Sequence, residues 1–243
     1  MYSHSLQYLP LPPIIYAIFV GAVFALFLLI QIGVLSYAYG RIGLSPMSAT
    51  IVLLASLLGS YVNIPVAHLA DERVVSQEVI EFFGERYIAP VVVDWPGTIL
   101  AVNVGGAVIP FLLSIYLLFR NRIWIVATAA TAIVAVVVHL FARIVPGVGI
   151  SVPIFAPPLL SAALAIVLSR DFAAPVAYVS GSLGTLIGAD LLNLGRIHEI
   201  ETPIASFGGA GTFDGIFVTG ILAVLIASLR LRRKTPGVSP TPP

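Results

Sequence analysis

Two aspartates stand where nearly every neighbour is glycine, aliphatic or aromatic. Asp190 lies in GSLGTLIGADLLNL (181–194) and Asp214 in GGAGTFDGIFVTG (208–220). A charged Asp at the centre of a membrane helix costs about 2.5–3.5 kcal/mol even on a lenient scale, so an acid kept there needs a partner or a task. The modest alternative for Asp190 is escape to the nearby membrane surface or pairing with Arg196. Two carboxylates held close together cannot both ionise, and they share a proton. That is the condition for activating water against a peptide bond, one acid serving as base and the other as acid. It is equally the condition for a proton relay in a transporter.

Further polar residues fall at the same level. Asn63 sits in YVNIPV ahead of Pro65, and Asn103 sits in AVNVGGAVIP ahead of two glycines and Pro110. His139 and Arg143 are four residues apart, which places them on one face of a helix, and Asn193 follows Asp190 closely. Gly188, Gly209, Gly211 and Gly215 are the positions that leave the backbone free to bend beside the acids. Ser180, Gly184 and Gly188 form one four-residue ladder, and Gly211, Gly215 and Thr219 another; such ladders let helices approach closely. In an unbroken helix, at about 100° per residue, Asp190 points about 200° away from Gly188. Either the helix breaks near Gly188, or the ladder and the acid serve different neighbours. Neither glycine run is a phosphate loop, because no Lys-Ser/Thr follows. His68, His139 and His198 form a weaker metal-ligand set without His-Glu-x-x-His spacing, and neither a metal nor a cofactor is expected.

The elements that position these residues follow from composition. The 243-residue chain is 59% hydrophobic and 9% charged, against about 25% charged for a soluble domain. These values predict an all-α polytopic membrane protein with multiple passes through the cell membrane and the lipid bilayer as its main partner. Apolar spans are drawn at 13–38, 46–70, 98–119, 122–144, 153–169, 173–195 and 206–229, within a single transmembrane domain over 1–234. The segment at 153–169 is short and proline-flanked, so it is tilted or only half inserted. Eight basic residues (Arg41, Arg120, Arg122, Arg170 and the cluster from Arg230 to Lys234) lie at one set of ends, against Arg73, Arg86, Arg143 and Arg196 at the other. The positive-inside rule then puts the N-terminus outside and the C-terminus in the cytoplasm. The connection 71–97 reads as an extracytoplasmic hairpin on its β-branched runs, with an amphipathic helix at 74–83 as the competing reading. The proline-rich tail 235–243 reads as disordered. A net charge of +1 excludes a nucleic-acid partner, and the absence of cysteine excludes disulfides and thiolate chemistry. One lysine against eleven arginines fits a thermophilic source.

Taken together, VNIPV, AVNVGGAVIP, LIGADLLNL and GGAGTFDGIF resemble the prokaryotic membrane family catalogued as domain of unknown function 1614, from about Pro46 to Leu229. That likeness implies no activity. More distantly, acids on two successive spans, the later one after a Gly-x-Gly element, are similar to the intramembrane aspartyl proteases of the presenilin and prepilin-peptidase type. By that resemblance Asp190 and Asp214 are the catalytic dyad, acting on a membrane-embedded peptide. The chain departs from the pattern at three places. Thr212 and Phe213 intervene between Gly211 and Asp214, Ala189 precedes Asp190, and APPLL (156–160) lies before both acids rather than after them. The expected function is thus an intramembrane aspartyl peptidase-like hydrolase. The alternatives are a proton- or cation-coupled transporter or channel working on a small ion, and a non-catalytic membrane scaffold.

Overall fold

The computed structural model describes residues 18–25, 33–69, 72–82, 85–95, 97–200, 202–209 and 215–230. The chain is mostly helical. A helix over residues 18–25 (α1) and α2 (Val34–Arg41) precede α3 (Pro46–Gly59). The N-terminus of α3 is set by Ser45, whose Oγ accepts from the Ser48 N–H at 3.2 Å, with Pro46 in the first turn. Next come α4 (Val104–Asn121, opening with a π-helical turn over Val104–Val108), α5 (Trp124–Phe141) and α6 (Ala156–Leu168). α7 (Ala173–Thr185) continues through a π-helical turn, Leu186–Asp190, into a 3-10 helix, Leu191–Ile200, and α8 spans Gly215–Arg230.

α7 is the axis of the bundle. Twelve of its 13 residues are buried, from Ala173 through Ser182 without a gap. Neighbours approach it through small residues. A Cβ on Gly184 would stand 2.6 Å from Val134 of α5, and one on Gly220 of α8 would stand 3.0 Å from the Tyr178 ring. Without water to drive burial inside a bilayer, this close backbone packing is what joins the helices. Three helices are long and apolar enough to cross a membrane: Val104–Asn121, Trp124–Phe141 and Ala173–Ile200. These helices mark the chain as a membrane protein.

At one end of the bundle the chain leaves helical geometry. β1 (Asn63–Leu69) and β4 (Thr98–Asn103) run antiparallel with Asn63 opposite Asn103, and β7 (Ile204–Phe207) joins β4 in parallel. Between β1 and β4, β2 (Glu72–Phe82) and β3 (Glu85–Trp95) form a two-stranded antiparallel ribbon. A small hairpin, β5 (Arg143–Val145) with β6 (Gly149–Ser151), follows α5. Leu100, Ile197 and Ile200 make a separate apolar core that ties the sheet to the 3-10 helix, with Ile144, Ile150 and Phe207 packed on it.

These strands correct an all-helical reading. The helix expected over 46–70 stops at Gly59, because Pro65 supplies no N–H and Ile64 before it is driven to extended geometry; β1 bulges between Pro65 and Ala67. The expected span at 98–119 begins as strand β4 and becomes helical only at Val104. The span at 122–144 ends at Phe141, and Arg143 opens β5. The span at 206–229 begins with the end of β7, and its helix starts at Gly215. The amphipathic helix considered for 74–83 is not formed over its described residues 74–82, since β2 and β3 pair in continuous register from Glu72 opposite Trp95 to Phe82 opposite Glu85. Residues 13–17 and 26–32 of the first span, and the tail 235–243, lie outside the described residues.

Candidate functional site

Asp190 closes the π-helical turn that follows α7, and its residue is half-buried. A π turn adds a residue to the helical repeat and frees carbonyls from the i→i−4 ladder. Asn193, 2% exposed, meets two of them, donating from Nδ2 to the Gly188 carbonyl at 3.2 Å and the Ala189 carbonyl at 2.8 Å. Asn193 thus ties down two carbonyls of the turn that ends at Asp190.

The carboxylate is met from the sheet. The Gly208 N–H, just past β7, donates to Asp190 Oδ2 at 2.7 Å. Gly208 holds φ +85°, and a Cβ on it would stand 2.6 Å from the Ala107 nitrogen and 2.8 Å from the Ala107 Cβ. Only glycine brings its amide to this place. Gly208 thus lies between Asp190 and the π turn of α4. That turn is capped by Asn103, 1% exposed, whose Oδ1 accepts from the Gly106 N–H at 2.8 Å. Asn103 Nδ2 in turn donates to the Ser60 carbonyl at 2.7 Å and to Asn63 Oδ1 at 3.0 Å. Ser206 Oγ donates to the same Asn63 oxygen at 2.6 Å. Asn63 and Asn103 stitch the ends of β1, β4 and β7 together.

Asp190 borders two cavities. One, of about 200 Å³, lies beside β7 and is lined by Ile150, Ile197, Ile200, Ile204 and Phe207. The other, of about 400 Å³, reaches the starts of α6 and α8 and is lined by Pro157, Thr185, Gly215, Ile216 and Thr219. Val148, Ile150 and Gly209 border both with Asp190. The site is an acid in an apolar recess, oriented by a backbone amide, with an edge strand on one side.

Asp214 and Gly211 lie outside the described residues. Gly215, the residue after Asp214, lines the larger cavity, and a Cβ on it would meet open space. Gly188 serves another neighbour, since a Cβ there would stand 2.8 Å from the Val138 Cβ of α5. The ladder faces α5 while the acid faces the sheet turn. His139 and Arg143 share no helix face. Ala142 between them is extended, Arg143 is an exposed strand residue, and neither lines the cavities. Arg196 is not the partner of Asp190, because it holds Glu199 through two contacts of 2.8 Å. Among the described residues no three His, Asp or Glu side chains group to hold a metal ion. Sequence reasoning passed over Gly208, Ser206 and Thr185, and it read Thr219 only as part of a small-residue ladder. The Gly208-Gly209 pair was a turn signal concealed within a long apolar window.

A model of the family described as "Protein of unknown function (DUF1614)" matches residues 57–226, from the end of α3 through most of α8. No curated protein and no solved structure matches the chain.

Proposed function

The chain belongs to the DUF1614 family, and from that premise and the geometry around Asp190 we propose that it is an intramembrane aspartyl peptidase-like hydrolase with Asp190 and Asp214 as its acids. One observation carries the reading. Asp190 stands in an apolar recess on the cavity that is also lined by Gly215, the residue that follows Asp214. The chemistry balances with these two groups alone. One carboxylate takes a proton from water, whose oxygen bonds to the peptide carbonyl carbon while the other carboxyl group protonates the carbonyl oxygen. The tetrahedral diol then collapses: the second carboxylate takes a hydroxyl proton as the C=O re-forms, the C–N bond breaks, and the amine leaves with the proton held by the first acid, which restores both groups. β7 is an edge strand beside Asp190, and an extended peptide can add to such an edge through main-chain hydrogen bonds.

In this reading the chain crosses the cell membrane seven times, N-terminus outside and C-terminus in the cytoplasm, so the sheet and both cavities lie at the outer face. Asp190→Asn and Asp214→Asn, made separately, each lower cleavage of a membrane-embedded peptide by at least about 100-fold, the usual reach of one acid-base group. Undiminished cleavage by either variant excludes the dyad.

A transporter is the second reading, favoured by the π turn that interrupts the α7 axis at Asp190, since interrupted helices at membrane depth commonly line ion paths. Proton- or cation-linked flux in proteoliposomes that is lost in Asp190→Asn, with no peptide cleaved by the unaltered protein, selects it.

A further inference from the structure

Asp190 borders both cavities, and the smaller one has a wall of a particular kind. Ile204, Ala205, Ser206 and Phe207 all line it. Side chains of a strand alternate between its two faces, so four consecutive residues border one cavity only along the edge of β7. The other edge is taken by β4. There the Ile99 N–H donates to the Pro203 carbonyl at 2.9 Å. The parallel ladder then turns the amides of Ala205 and Phe207 toward β4 and those of Ile204 and Ser206 toward the cavity. The outward carbonyls already have donors. Thr202 Oγ1 donates to that of Ile204 at 3.2 Å, and the Gly209 N–H donates to that of Ser206 at 3.3 Å. The Ile204 and Ser206 N–H groups are left to face the cavity. They stand about 6.6 Å apart at 3.3 Å per residue, the repeat of alternate carbonyls on an extended chain.

The rest of the smaller cavity is apolar. Ile197 and Ile200, both buried, form its floor from the 3-10 helix, and Ile150 closes it from β6. Ala205 packs on the same apolar cluster. The volume is about 200 Å³, above the roughly 150 Å³ of an apolar cavity that admits benzene. That is room for one leucine or phenylalanine side chain. β7 leads from this cavity to Gly208, whose N–H holds Asp190. Beyond it, Asp190 and Gly209 border the larger cavity.

We propose that the smaller cavity binds one leucine- or phenylalanine-sized side chain of an extended apolar peptide. The peptide's carbonyls accept from the Ile204 and Ser206 N–H groups, and its next residue passes Asp190 into the larger cavity. The bond presented to the acid therefore adjoins the residue held in the pocket. Ile150, Ile200 and Ala205 set the size of that residue. This selectivity rests on the peptidase reading for its chemistry, but not for its binding.

The probe is a capped heptapeptide of valine and alanine with the diazirine analogue of leucine at its centre. It is irradiated with the full chain in lipid nanodiscs. The adduct is expected within residues 197–207. The unlabelled peptide with central leucine or phenylalanine competes, whereas central alanine needs at least about 10-fold more peptide. Ala205→Phe fills the cavity and loses the adduct. Ile150→Ala enlarges it and shifts the preference from central leucine toward central tryptophan by at least about 10-fold, a gain that misfolding does not produce. No adduct, an adduct elsewhere, central alanine competing as well as leucine, or an unshifted preference in Ile150→Ala overturns the pocket. If Asp190→Asn and Asp214→Asn still abolish cleavage in that case, the dyad stands without it. An adduct at 197–207 with the expected preferences, in a protein that cleaves no peptide, removes the peptidase reading and leaves the pocket.

Discussion

Gly208 combines two requirements that no other residue meets. Its φ of +85° suits glycine, and the Ala107 nitrogen stands 2.6 Å from where a Cβ would be. Gly208→Ala is therefore expected to cost about 2–4 kcal/mol, from left-handed backbone strain and overpacking together. A lowered thermal unfolding temperature in detergent would show the loss. The variant also shifts the amide that Asp190 accepts from, so Asp190-dependent activity falls with it. Of this site, Asp190 was legible in the sequence, because an acid among apolar residues carries a visible cost. Gly208 was not, because a positive φ and a close approach belong to the folded backbone and leave no mark in a run of glycines. Arg196 misled for a related reason. It lies six positions from Asp190 in sequence, but the 3-10 helix brings Glu199 to its guanidinium instead.

At the scale of elements, the decisive events are conversions between helix and strand at one end of the bundle. Apolar windows of about twenty residues located the helical segments, yet such windows count hydrophobicity and are blind to its period. Asn63 to Leu69 and Thr98 to Asn103 lie in windows apolar enough to extend a span, but Pro65 and the β-branched residues make them strands. The hairpin over 71–97 was legible because its β-branched runs are bounded by turn residues. The close approach of α7 to α5 yields a paired prediction. Gly188→Ala costs about 1–3 kcal/mol through overpacking, since its Cβ would press on Val138 at 2.8 Å. Gly215→Ala, where a Cβ meets open space, leaves unfolding unchanged or slightly raised. Thermal unfolding of the two variants side by side checks the contrast.

At the scale of the whole molecule, the distribution of charge predicts how the chain lies in its membrane. Single cysteines placed in the otherwise cysteine-free chain test it in intact cells with a membrane-impermeant maleimide. Ser76→Cys in the ribbon labels from outside, whereas a cysteine at Ser239 labels only after the cells are opened. Labelling in the reverse pattern inverts the proposed orientation.

α6 has a consequence for the lipids themselves. It is 13 residues long, about 20 Å at 1.5 Å per residue, against a hydrocarbon layer of about 30 Å. Leu159, Val167 and Leu168 are exposed along it, so in the seven-crossing reading proposed above acyl chains meet a wall some 10 Å too short for them. On that reading the bilayer dimples there, drawing headgroups and water toward the larger cavity, which Pro157 lines. Short-tailed lipids relieve that curvature and will gather at this flank, so the surrounding membrane's thickness becomes a setting on how readily the recess is wetted.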